Sequence, residues 1–200
     1  SAIRAADYDS DGDQDLFIGA RSIPDRYGFP TDGIILQNDG KGNFTDVTQT
    51  VAPMLKGIGM ITDAVWFDFD KDKRPDLAVT GEFMPVRIFH NNGATFTEVT
   101  EQAGLSKTSG WWNRLVADDV DGDGFPDLVA GNHGLNSRFK ASEQKPISLF
   151  YGDVDDNGTY EQILCTYNGD KQYPMVLRHD LVGLLPFLKK KLLKYEDYKE

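Results

Sequence analysis

The sequence predicts an all-β chain of repeated four-stranded units followed by a C-terminal helical segment. Three observations predict it. Four acidic loops, DYDSDGDQD at 7–15, DFDKDKRPD at 68–76, DVDGDGFPD at 119–127 and DVDDNGTYE at 153–161, each follow a strand-like run. Two hairpin blocks match closely, ILQNDGKGNFTDVT at 35–48 and IFHNNGATFTEVT at 88–100. Beyond residue 177 the apolar spacing changes from strand-like to helical.

Taken in order, the strand-like runs before the loops are Ala2–Ala6, Ala64–Phe67, Leu115–Ala117 and Ile147–Tyr151. After each of the first three loops comes Asp-Leu and a short β-rich run ending in glycine, at Gly19, Gly81 and Gly131. The hairpin blocks carry Asn, Asp and Gly at their turns, residues that tolerate positive φ. One repeat is thus strand, acidic loop, strand, connection, strand, turn, strand. Phe44 and Phe96 are 52 residues apart and Asp7 and Asp68 are 61, so an insertion of 9 sits in the connection at 21–33. Four antiparallel strands every 50–60 residues predict propeller blades. The expected architecture is a partial β-propeller of about three blades, at about 1–48, 62–100 and 113–166, within a segment spanning 1–176. From Asp119 to Asp153 is only 34 residues. The fourth loop therefore either replaces the hairpin turn of the third blade, as these boundaries assume, or opens a fourth blade. Residues 177–200 form the expected helical tail, with Asp180 as N-cap, Pro186 starting or kinking its second segment, and Leu185, Leu188, Leu192 and Tyr195 on one face.

The loops carry the chemistry. Each places oxygen-bearing side chains at relative positions 1, 3, 5 and 9: Asp7, Asp9, Asp11 and Asp15; Asp68, Asp70, Asp72 and Asp76; Asp119, Asp121, Asp123 and Asp127; Asp153, Asp155, Asn157 and Glu161. The main-chain carbonyl at position 7 adds a donor from Asp13, Arg74, Phe125 and Thr159. Calcium takes six to eight oxygens in forgiving geometry, and such a loop supplies most of them. Gly12, Gly124 and Gly158 at position 6 let the chain turn. Lys73 takes that place in the second loop, which makes it the weakest of three to four expected Ca²⁺ sites. An EF-hand would need Glu at position 12 and flanking helices. Position 12 holds Ile18, Val79, Ala130 and Leu164, so that arrangement is excluded. Asp residues that serve only as turn formers would not recur four times in one context. A glycosidase carboxylate pair occurs once per site, not in four copies.

Composition bounds the function. A net charge of −11 and a pI near 4.7 disfavour nucleic-acid binding. Four bound divalent cations would bring that charge to about −3, ordinary for a small domain. Cys165 is the sole cysteine, so no internal disulfide forms. Ser1 opens directly into strand-like sequence, with no signal peptide in view. The apolar stretch at 181–188 is too short to span a bilayer, so no direct membrane insertion is expected. Extracellular calcium modules bind at about 10⁻⁴–10⁻³ M, so such loops fill outside the cell and not in a cytosol. An extracellular, cell-surface or periplasmic location is expected.

The pattern D-x-D-x-D-G-x-x-D-L within a four-stranded repeat resembles the FG-GAP/VCBS repeat family, the calcium-binding blades of integrin-α-type β-propellers. The blocks NDGKGNFTDVT and NNGATFTEVT resemble bacterial VCBS proteins often found with an ASPIC/UnbV domain. The resemblance covers about residues 2–165. It implies calcium at the position 1, 3, 5 and 9 residues given above, and binding, adhesive or scaffolding roles without catalysis. Asn157 and Glu161 depart from the all-Asp pattern but keep oxygen donors, whereas Lys73 departs from the glycine.

Strand alternation puts the acidic loops and hairpin turns on one face and the long connections, 20–33, 49–63, 101–113 and 132–146, on the other. Loops on a rigid scaffold are where binding concentrates. Trp111, Trp112, Asn113 and Arg114, with Asn132, His133, Asn136 and Arg138, suit a glycan or peptide ligand unless the tryptophans pack between blades. Arg26 and Tyr27 are a second candidate. His90, His133, His179 and Cys165 lack zinc spacing and are expected on the surface or in packing. Lys189–Lys191 and Lys194 fit the solvated face of the tail. There is no Walker A loop, nucleophile elbow or HExxH. The chain reads as non-catalytic, with a protein or glycan partner and its remaining blades supplied by a longer chain or partner subunits. The alternative is an accessory domain of a larger secreted enzyme.

Overall fold

The computed structural model describes residues 1–134, 136–194 and 197. Strands predominate, with few and short helices. The chain divides into two compact units, Ser1–Ile23 with Phe29–Gly134, and Pro24–Gly28 with Leu135–Glu200.

In the first unit, β1 (Ala2–Ala6), β2 (Asp15–Gly19), β3 (Gly33–Asn38) and β4 (Phe44–Asp46) form an antiparallel sheet in sequence order. A second four-stranded meander repeats it: β5 (Met60–Phe67), β6 (Asp76–Met84), β7 (Arg87–Asn91) and β8 (Phe96–Glu98). The two hairpin blocks fold alike, Asn38 opposite Phe44 and Asn91 opposite Phe96. Each acidic loop connects the first two strands of its meander, as the flanking sequence requires. The connection between the meanders carries a four-residue α1 (Thr48–Val51) and a 3-10 turn, Pro53–Leu55, which seats Leu55 and Ala52 in the core.

Strand β6 is buried along nearly its whole length. Its two faces explain why it reads as a continuous apolar run instead of an alternating one. Leu77 and Val79 pack on one side with Phe17, Ile35, Ile61 and Phe89. Ala78 packs on the other with Val86, Ile88, Leu115 and Trp112. Gly81 is required by close approach: a Cβ there would lie 2.1 Å from the Met60 carbonyl oxygen of the paired strand. Beyond Gly81 the far end of β6 bulges and pairs with β9 (Gly110–Asp118), Glu82 opposite Trp111. β9 in turn pairs with β10 (Asp127–Asn132).

In the second unit, β11 (Ser148–Gly152), β12 (Glu161–Asn168) and β13 (Lys171–Pro174) form a three-stranded antiparallel sheet. The four-stranded third blade expected over 113–166 is therefore not one sheet. β9 and β10 share the sheet of β6, whereas β11 pairs with β12 across the fourth acidic loop. That loop joins the first two strands of its sheet, as the other three acidic loops join theirs, an arrangement that either sequence alternative allows.

The tail departs from a continuous helix. α2 (Arg178–Leu184) stops at Leu185, whose φ of −124° and ψ of 82° are not helical, and Pro186 opens a 3-10 turn to Lys190. A residue before proline is pushed out of the α region. Leu177, not Asp180, is the N-cap; Asp180 lies in the first turn, where its charge suits the helix dipole. Leu185 is buried, Leu188 and Leu192 are half-buried, Lys189–Lys191 are exposed, and Tyr195 falls outside the described residues.

Candidate metal centres

The four loops share one hydrogen-bond scheme. The position 1 carboxylate accepts the main-chain N–H of position 6: Asp7 from Gly12 at 3.1 Å, Asp68 from Lys73 at 2.9 Å, Asp119 from Gly124 at 2.9 Å and Asp153 from Gly158 at 2.9 Å. The position 5 oxygen accepts the N–H of position 7: Asp11 from Asp13, Asp72 from Arg74, Asp123 from Phe125 and Asn157 from Thr159. In the first three loops, position 3 (Asp9, Asp70, Asp121) accepts from position 5. Position 9 closes each loop by accepting the N–H of position 2: Asp15 from Tyr8, Asp76 from Phe69, Asp127 from Val120 and Glu161 from Val154. The main-chain donors thus hold the carboxylates in a fixed array.

The backbone turns twice to permit this. Position 6 has positive φ throughout, +96° at Gly12, +69° at Lys73, +83° at Gly124 and +84° at Gly158. Lys73 adopts the glycine conformation at a cost its Cβ imposes. Position 4 is also left-handed, at Ser10, Lys71, Gly122 and Asp156. Sequence inspection missed this second turn because only one of the four residues is glycine.

Oxygens converge accordingly. Carboxylate atoms of Asp7, Asp9 and Asp15 lie within 4.8 Å of one another, as do those of Asp119, Asp121 and Asp127, and of Asp153, Asp155 and Glu161. The second loop gathers Asp68, Asp70 and Asp72, and separately Asp70, Asp76 and His90. Each group could hold a metal ion. The residues fit a hard cation: apart from His90 the converging donors are oxygens, and Asp13 Oδ1 and Asp155 Oδ1 are buried with no hydrogen-bond partner. Asp15 and Asp76 are fully buried. Burial pushes both carboxyl groups up, against the N–H donors of Asn38 and Tyr8 in one case and of Asn91 and Phe69 in the other. The Asp13 carboxyl is also pushed up, by partial desolvation and then by Asp11, Asp9, Asp7 and Asp39. Burial and the neighbouring carboxylates push Tyr8 up to about 12. A cation held beside Asp13 and Asp15, and another beside Asp76, would favour the ionised form of these carboxyl groups.

The second loop differs in more than Lys73. The Arg74 guanidinium pairs with Asp72 and donates Nε–H to the Asn91 carbonyl at 3.0 Å. His90 Nδ1 lies 3.1 Å from Asp76 and 3.5 Å from Asp70. Its counterpart in the first meander, Gln37, donates to Asp9 at 2.6 Å. His90 was expected on the surface or in packing; it sits against the metal-competent cluster, brought there by β7. Lys71 places its ammonium 3.2 Å from the Phe125 ring centroid, linking the second loop to the third.

At the other ends of the strands the ligand candidates separate. Trp111 stacks on His133, with centroids 5.0 Å apart, and Asn113 and Arg114 line the same cleft. Trp112 instead packs into the core beside Leu115, its indole N–H donating to the Thr108 carbonyl. Asn136 and Arg138 belong to the second unit, where Arg138 lies over Phe139. Arg26 lies 4.7 Å from the Tyr160 ring centroid in that unit. Sequence reasoning missed Arg21, Thr62 and Glu82, which join Trp111 in the cleft.

Strand–loop–strand repeats whose loops array converging carboxylates define a mostly-β repeat protein with cation-competent loops. Residues 7–79 and 68–130 each match the FG-GAP-like repeat, and the chain belongs to that family. No curated protein matches it. Among the described residues no helix is long and apolar enough to cross a membrane.

Proposed function

We propose that the chain is a non-catalytic, calcium-stapled β-propeller segment of an exported or cell-surface protein. The carrying observation is that positions 6, 7 and 2 donate to the same three ligand positions in all four loops, each presenting a converging carboxylate group. The all-oxygen sets of the first, third and fourth loops suit calcium best. The ion holds the first two strands of each meander at a fixed spacing and neutralises carboxylates that would otherwise repel. Further blades come from the remainder of a longer chain or from partner subunits. Recognition of a protein or glycan falls to the strand ends opposite the loops, where aromatic, amide and guanidinium groups gather.

Calorimetric titration with Ca²⁺ and thermal melts with and without EGTA test the proposal. Three strong sites and a marked fall in Tm on chelation are expected. A melt unmoved by EGTA overturns the calcium assignment.

A further inference from the structure

The strand ends opposite the acidic loops border an open cleft of about 450 Å³ lined by Arg21, Thr62, Glu82, Trp111, Arg114 and His133, among others. That volume falls in the range of ligand pockets. We propose that this cleft binds an acidic glycan, its anionic group held by Arg114 and a sugar ring resting against the Trp111–His133 stack. The inference deepens the recognition role proposed above by naming a ligand class.

Charge points to an anion. Glu82 is 2% exposed and accepts Arg21 Nε–H at 3.0 Å and the Trp111 indole N–H at 2.8 Å. Asp63 is 2% exposed and pairs with Arg4, while Arg114 approaches it only to 3.9 Å. Among the described residues, Arg4, Arg21 and Arg114 face the buried carboxylates of Glu82 and Asp63. The excess cation falls at Arg114, whose side chain is 79% exposed. In a chain of net charge −11 this is a local positive site, reached from the end away from the acidic loops. An anion is repelled at the loop end and steered to this one.

The backbone is built around the same place. Ladder irregularities occur between Ile61 and Asp63, between Glu82 and Met84, and between Gly131 and Asn132. The first sets off Thr62, the second Phe83, and the third precedes His133. Phe83 has a φ of +57° and its ring lies 5.4 Å from that of Trp111. Bulges and left-handed non-glycine residues gather where side chains must be re-aimed at a ligand.

The lining decides between a sugar and a peptide. Among the described residues it consists of guanidinium, hydroxyl, carboxylate, amide and imidazole groups, with Trp111 the one large hydrophobic side chain. A peptide needs an apolar pocket for an anchoring side chain, and the described residues of the cleft form none. A sugar needs an aromatic platform bordered by planar hydrogen-bonding groups, and the cleft offers both. The guanidinium fork matches a carboxylate in two parallel hydrogen bonds.

Titration of the chain at saturating Ca²⁺ with tri-galacturonate, uncharged trigalactose and tri-glutamate tests this. Tri-galacturonate is expected to bind at least about tenfold more tightly than either of the others, and more weakly as salt rises. Arg114→Gln is expected to cost about tenfold against tri-galacturonate while leaving Tm unchanged. His133→Ala is expected to weaken the acidic and the neutral sugar alike. Equal binding of acidic and neutral sugar, binding of tri-glutamate as tight as the uronate, or indifference to Arg114→Gln each overturns the proposal. Uronate binding that persists when EGTA leaves the melt unmoved would sink the calcium assignment and keep the cleft.

Discussion

The side-chain amide of Asn91 donates to the Tyr8 carbonyl oxygen at 2.7 Å, joining residues 83 positions apart. The same amide reaches the Pro75 carbonyl at 3.1 Å, and the Asn91 main-chain N–H donates to Asp76 at 2.8 Å. One side chain, 2% exposed, thus ties the first acidic loop to the second. Asn91→Ala leaves both carbonyls without their buried donor, each costing about 1–3 kcal/mol. We expect a loss of about 3 kcal/mol and a fall in Tm on the order of 10 °C, read by thermal melting. An unshifted melt would count against the link.

The second loop should take its ion last. Lys73 holds a φ of +69°, and Arg74 occupies the Asp72 carboxylate. Lys73→Gly removes the backbone strain and should stabilise the chain by about 1 kcal/mol. Adding Arg74→Ala frees Asp72 and should raise Ca²⁺ stoichiometry from three strong sites toward four in a calorimetric titration. Unchanged stoichiometry would show that neither cation limits the loop.

Cation affinity should fall as pH drops. Asp15 and Asp76 have carboxyl groups pushed up by burial, and Asp13 by desolvation and its neighbours. The metal-free native state therefore takes up protons before the unfolded chain does, whose aspartates titrate near 3.9. Stability without calcium rises as pH falls through the folded values and levels off below the unfolded one. With calcium the carboxylates must stay ionised, so protons compete. The gain in Tm on adding Ca²⁺ should shrink as pH falls through the raised folded values of these carboxyl groups. A gain independent of pH would contradict this.

The opposite sign applies at Glu98. Arg87 donates Nε–H to Glu98 Oε1 at 2.8 Å and Nη2–H to Oε2 at 2.5 Å, and this pair pulls the Glu98 carboxyl down. Its contribution is complete above the unfolded value near 4.3 and is lost as pH falls through the lower folded value. Glu98→Gln should lower stability at neutral pH by about 1–2 kcal/mol. The difference from the unsubstituted chain should vanish in acid, as melts across that range would show.

Much of the carboxylate geometry was legible in the sequence because it is local. Nine residues fold on themselves, so the spacing of Asp7, Asp9, Asp11 and Asp15 suffices to anticipate the cradle. The hairpins at 35–48 and 88–100 are legible for the same reason, since their turns bond within themselves. Other features come from elements distant in sequence. His90 reaches Asp70 and Asp76 only because β7 lies beside β6. Trp111 and Trp112 read identically, yet strand alternation sends one to the cleft and the other to the core. In the third repeat β9 pairs both with β10 and with the far end of β6, whereas β11 pairs with β12.

By itself the sequence determined the repeated strands, the four carboxylate arrays and the acidic charge, all set by spacing within short segments. Tertiary structure alone decided that Asp15 and Asp76 are buried, that Arg74 and His90 occupy the second loop, and that Arg21, Glu82 and Arg114 meet at one cleft. Burial and long-range pairing depend on which strands become neighbours, and no local spacing encodes that.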